Sequence, residues 1–150
     1  MLALVGEVFD VKNDPDQIDV DESARAKLQL LHPATMSEFA NDDGPIAWIL
    51  LIPTTLKTMN QFVAGDITEK QLLEQTQPGD PMEAVYLCSA SVLPEFRKQG
   101  IASRLTLDAL RRMSTDFSIK ALFFWKFSDN GAQLAHQLAE HLSIPLYERK

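Results

Sequence analysis

The chain reads as a single α/β domain over residues 1–150, and three observations carry that reading. Apolar runs of strand length alternate with helical patterns along the chain. Three of those runs are apolar at nearly every position, as strands covered on both faces of a sheet are. No run approaches membrane-spanning length, the one around Leu122–Trp125 included.

The elements follow in order. Residues 2–8 make a first strand, ended by a polar segment with the turn Asn13-Asp14-Pro15. A helix starts near Asp21, carries Ala24, Leu28 and Leu31 at helical spacing, and stops at His32 because Pro33 follows. His32 reads as a cation at a helix C-terminus. After the turn Asn41-Asp42-Asp43-Gly44-Pro45, residues 46–52 form a nearly continuous apolar strand for the sheet interior.

Residues 54–64 and 68–77 read as two short helices, parted by Gly65-Asp66 and closed by Pro78-Gly79-Asp80-Pro81. Thr68 with Gln71 fits a capping box at the second start. The pair either covers a site as a lid or packs on the sheet edge, and packing is the simpler expectation. Residues 84–92 are a buried strand and 101–113 the helix after it. Residues 119–127 give another strand, Ser128-Asp129-Asn130-Gly131 a turn, 132–142 a helix and 144–148 a short last strand.

Composition narrows the function classes. Apolar residues make up 45% and charged residues 23%, the balance of a soluble globular chain. Met1–Val5 lacks a basic flank, so no secretory signal is expected, and the single cysteine, Cys88, suits a reducing cytoplasm. A net charge of −7 argues against a nucleic-acid partner, and nothing suggests a membrane. The acids gather early, at Asp14, Asp16, Asp19, Asp21 and Glu22, then Asp42 and Asp43. They either draw a cationic partner or form a solvated face.

The most informative stretch is Val92-Leu93-Pro94-Glu95-Phe96-Arg97-Lys98-Gln99-Gly100-Ile101-Ala102, a basic, glycine-containing loop from strand to helix. Unpaired N–H groups and the helix dipole at such a helix start attract anions. Gly100 leaves the backbone approachable, and Arg97 and Lys98 add positive charge. The pattern R-x-x-G-x-A, at Arg97, Gly100 and Ala102, resembles the pyrophosphate loop of the GNAT acetyltransferases. The resemblance covers residues 83–147 and fades toward the N-terminus.

That resemblance implies a mixed central sheet flanked by helices, with splayed central strands. It implies acetyl-CoA as cosubstrate, its pyrophosphate held by Arg97, Lys98, Gln99, Gly100, Ile101, Ala102 and Ser103, and its pantetheine arm beside Ser91, Val92 and Leu93. Asn130 adjoins the position of a family asparagine. The implied reaction is acetyl transfer to a primary amine of a small molecule or peptide, without a metal. A non-catalytic acyl-CoA-binding or sensing module is the alternative.

Catalytic residues are less clearly marked. Tyr86 falls near the position of the base in some relatives, and Glu83 one step further out is the better chemical candidate or else an exposed strand-end acid. The family tyrosine that protonates the leaving sulfur is replaced by His136, which either serves as the acid or is a solvated residue on the polar side of its helix. Ser89 and Ser91 either admit a close ligand or are small residues in a tight sheet. Cys88 reads as core, with no base or positive setting to activate it. His136 and His141 are spaced too far round the helix for a zinc pair, and neither a P-loop nor a G-x-G-x-x-G occurs. Where relatives commonly continue into another strand, a second subunit could supply the edge, so a homodimer is expected.

Overall fold

The computed structural model describes residues 21–97, 99–126 and 128–150. The expected strand at 2–8, most of the early acidic stretch, Lys98 and the Phe127 end of the fourth strand lie outside them. The described elements are α1 (Glu22–Leu31), β1 (Met36–Asn41), β2 (Gly44–Thr54), α2 (Leu56–Val63), α3 (Glu69–Gln75), β3 (Ala84–Val92), α4 (Ile101–Asp116), β4 (Ala121–Phe124), α5 (Asp129–Leu142) and β5 (Leu146–Glu148). The strands form one open sheet in the order β1-β2-β3-β4-β5. It is antiparallel from β1 to β3 and parallel from β3 to β5.

Local chemistry sets the helix ends. The Asp21 carboxylate accepts the Ala24 N–H at 2.8 Å and opens α1, while His32 leaves the helix in extended backbone. His32 is also buried, and does more than end a helix. Its Nδ1 accepts the Ala34 N–H at 3.0 Å, so the ring proton sits on Nε2, 2.7 Å from the Asp116 carboxylate. That bond ties the end of α1 to the end of α4. The capping box at Thr68 and Gln71 is present, with both reciprocal bonds made.

The largest departures from the sequence reading are three. Strand β1 is added, because its residues from Phe39 on are exposed and carry no alternating apolar signal. Helix α5 starts at Asp129 rather than 132, since the Ser128 hydroxyl accepts the Gly131 N–H and turns the expected loop into a helical first turn. Strand β4 spans four residues rather than nine.

Two cores sandwich the sheet. One face packs Ile49, Leu51, Val85 and Leu87 against Leu110 and Met113 of α4 and Leu134 and Leu138 of α5. The other packs Leu50, Ile52, Tyr86 and Phe123 against Leu28 of α1 and Met59, Phe62 and Leu72 of α2 and α3. Each such side chain contributes about 1.5–3 kcal/mol on burial. The α2–α3 pair therefore packs on a sheet face, not on the edge as expected. Phe62 meets Tyr86 at 4.7 Å and Phe123 at 5.8 Å between ring centroids, geometry favoured by the ring quadrupoles.

Candidate functional site

The site begins where two parallel strands part. Strand β3 has nine residues, yet it pairs with β4 only at Ala84, Val85 and Tyr86, opposite Ala121, Leu122 and Phe123. Just beyond, Cys88 is an extra residue. Ser89 pairs with Leu50, but the next pair is Leu87 with Leu51. The bulge reverses which face each residue takes: Val85 and Leu87 face the α4–α5 core, and past Cys88 it is Ala90 that does so. A bulge bends its strand and raises its twist, which accounts for pairing that stops here.

Beyond the bulge β3 has an open side among the described residues. The Leu93 N–H donates to Ile46 O at 2.9 Å, which fixes the phase of the antiparallel ladder. Ser91 and Ser89 then point their backbone groups at Trp48 and Leu50 of β2, and those of Ala90 and Val92 turn toward the gap left by β4. The Val92 carbonyl on that side accepts the Arg97 Nε–H at 3.0 Å. Arg97 thus fastens the loop to the strand end.

The loop passes through a short 3-10 turn, Pro94–Phe96, to Gly100. Gly100 is the N-cap of α4 at φ 75° and ψ 14°, the left-handed region that disfavours a Cβ. Space is not the reason for glycine, since a Cβ there would meet nothing within 4 Å. No side chain caps this end, and the first turn carries no acid. The first N–H closing back on the helix is that of Arg104, to Gly100 O at 3.0 Å. The N–H groups of Ile101, Ala102 and Ser103 precede it, at the positive end of a 16-residue helix.

Helix α5 starts alongside. A cleft of about 280 Å³ is lined by Val92, Arg97, Gly100, Ala102, Ser103 and Asn130, with Phe96, Ile101, Leu134 and Gln137 completing it. The structure thus brings together most of the residues expected to hold a diphosphate. Gln99 is exposed, and neither it nor Leu93 lines the cleft. Ser91 lies on the opposite sheet face from α4, beside Trp48, and among the described residues its buried hydroxyl has no hydrogen-bond partner. Such a group carries an uncompensated desolvation cost.

The three catalytic candidates are not brought together. Glu83 stands at the far end of β3, about 30 Å from Val92 at strand rise, with its carboxylate 2.7 Å from Lys120 Nζ. Tyr86 is fully buried, and its hydroxyl donates to the Glu69 carboxylate. His136 lies on the exposed side of α5, its ring T-shaped to that of Phe124 with centroids 6.1 Å apart.

Sequence reasoning passed over Glu69. This acid of α3 is 1% exposed, and the oxygen that accepts from Tyr86 lies 3.7 Å from Cys88 Sγ. Burial, then the Glu69 charge, pushes the Tyr86 hydroxyl well above its ordinary range, and the Arg149 charge opposes them. An acid one residue after an N-cap reads as an ordinary first-turn acid, so nothing in the pattern marked it.

A larger cavity, about 530 Å³, lies at the other end of the sheet beside Met82, Glu83, Asp116, Phe117 and Lys120. Two of its acids are already paired, Glu83 with Lys120 and Asp116 with His32, whereas the N–H groups of Ile101, Ala102 and Ser103 at the loop cleft have no intrahelical partner. Chemistry therefore favours the smaller space. No family model matches the chain, and neither a curated protein nor a solved structure matches it.

Proposed function

We propose that the chain is a GNAT-like acyltransferase that takes acetyl-CoA as cosubstrate in the Arg97–Ser103 cleft and passes the acetyl group to a primary amine. One observation carries the reading: an uncapped helix N-terminus, begun by a left-handed glycine, adjoins the gap between parallel strands that part after three pairs. The first feature suits a diphosphate. The second offers the strand-edge N–H groups of Ala90 and Val92 and the Ala90 C=O to an extended amide-bearing arm, and a backbone N–H there would polarise a thioester carbonyl. In the transfer the amine nitrogen bonds to the carbonyl carbon, the C–S bond breaks, and the amine proton ends on the released thiol.

A second reading, an acyl-CoA-binding module without turnover, is favoured by the scatter of Glu83, Tyr86 and His136. Calorimetry with CoA and acetyl-CoA tests the cleft, and free thiol followed during incubation with a panel of amines tests transfer. Saturable heat with amine-dependent thiol release supports the enzyme. Heat without release leaves the binding module, and no heat with any CoA thioester overturns both.

A further inference from the structure

The chain leaves the sheet at Thr54, makes α2 and α3, passes back beside Thr54 at Thr76, and rejoins the sheet at Ala84. The two threonine hydroxyls, both fully buried, meet at 2.6 Å and close the neck of this excursion. Segments whose ends lie together can move without dragging the chain on either side. The seam beneath α3 is also unlike the opposite core. It buries the Glu69 carboxylate, the Tyr86 hydroxyl and the Cys88 thiol side by side at the bulge, among the apolar side chains of α2 and α3. Opening costs the burial of Met59, Phe62, Leu72 and Leu73 around that cluster, while water replaces the hydrogen bonds of its polar groups.

Something from outside the excursion holds it down. After β5, the Arg149 N–H donates to Phe124 O at 2.9 Å and the Lys150 N–H donates to Val63 O at 3.0 Å, at the end of α2. The Arg149 guanidinium lies 4.8 Å from the Phe62 ring centroid and 4.2 Å from that of Trp125, and donates to Ile67 O at 3.1 Å. Helix α2 has no basic residue in its last turn, so Arg149 supplies the cation that the negative end of its dipole favours. One side chain thus touches α2, the α2–α3 turn and the end of β4. Lys27 Nζ adds an exposed tie to Glu74 O at 3.1 Å.

We propose that α2–α3 is a gate over the β3 bulge, opening as a unit on the sheet face opposite the loop cleft, and that Arg149 is its latch. Opening uncovers Glu69, Tyr86 and Cys88 together. The device does not depend on what the loop binds.

Cys88, the single cysteine of the chain, reports on it directly. Labelling with 5,5′-dithiobis(2-nitrobenzoate) is followed from zero to low urea, beside global unfolding by circular dichroism. Wild type is expected to label through an opening less costly than global unfolding and with a smaller urea dependence. Arg149→Ala should speed labelling about tenfold or more with a smaller change in global stability. Arg149→Lys, which keeps the charge without the flat stacking group, should fall between, and it takes the place of the alanine variant should that fail to fold. Labelling that requires global unfolding in wild type and variant alike, or that rises only in step with lost global stability, overturns the proposal.

Discussion

At the residue scale two buried polar groups set the energetics of β3, and they do so in opposite ways. Ser91 has a buried hydroxyl that bonds to nothing among the described residues. Ser91→Ala removes that cost, so it is expected to raise the Tm of the ligand-free protein by roughly 2–4 °C, measured by differential scanning calorimetry; a lower Tm would show the hydroxyl to be satisfied. Tyr86 is satisfied but only as the neutral phenol, because burial and the Glu69 charge raise its pKa. A pKa raised by folding gives stability that is whole below the ordinary value of 10.0 and is lost as pH climbs through the folded value. Absorbance at 295 nm during alkaline titration should therefore reach the amplitude of both tyrosines only as the protein unfolds. Full amplitude with the fold intact would contradict this. The sequence places Tyr86 on a buried strand, but its partner comes from a helix 17 residues earlier, and no local pattern encodes that meeting.

Elements show where local chemistry suffices. The caps at Asp21, Thr68 and Ser128 each rest on a side chain and an N–H three residues on, so they belong to the sequence, although the Ser128 cap was read as part of a turn. Gly100 likewise marks the start of α4 from its own backbone preference. The start of α4 offers a way to separate folding from binding. Ser103→Glu sets a negative charge in the first turn, which the dipole stabilises by about 0.3–1 kcal/mol, yet the same charge repels a diphosphate. The variant is expected to unfold at slightly higher urea than wild type and to bind acetyl-CoA at least tenfold more weakly. Unaltered affinity in a folded variant would place the diphosphate elsewhere. Strand β1 was illegible for the converse reason, since an edge strand with exposed outer residues owes its existence to the β2 ladder rather than to its own pattern.

For the whole molecule, the deciding feature is the separation of β3 from β4. If the ladder phase is as the Leu93–Ile46 bond dictates, amide hydrogen exchange should be faster at Ala90 and Val92 than at Ser89 and Ser91, and acetyl-CoA should slow the first two. Equal protection at all four would mean that the gap is closed. The sequence by itself determined the α/β class, the interior strands β2 and β3, the helix after the loop and the gathering of Arg97 with Gly100–Ser103, because these depend on periodicity, caps and one glycine within a few residues of chain. Only the tertiary structure decided that a single bulged residue at Cys88 ends the pairing with β4, that Asn130 meets α4 across the cleft, that Glu83 sits far from the loop, and that Arg149 lies on Phe62 and Trp125. Those arrangements join groups remote in sequence, and their energies arise from burial and register, which exist only once the sheet has closed its two cores.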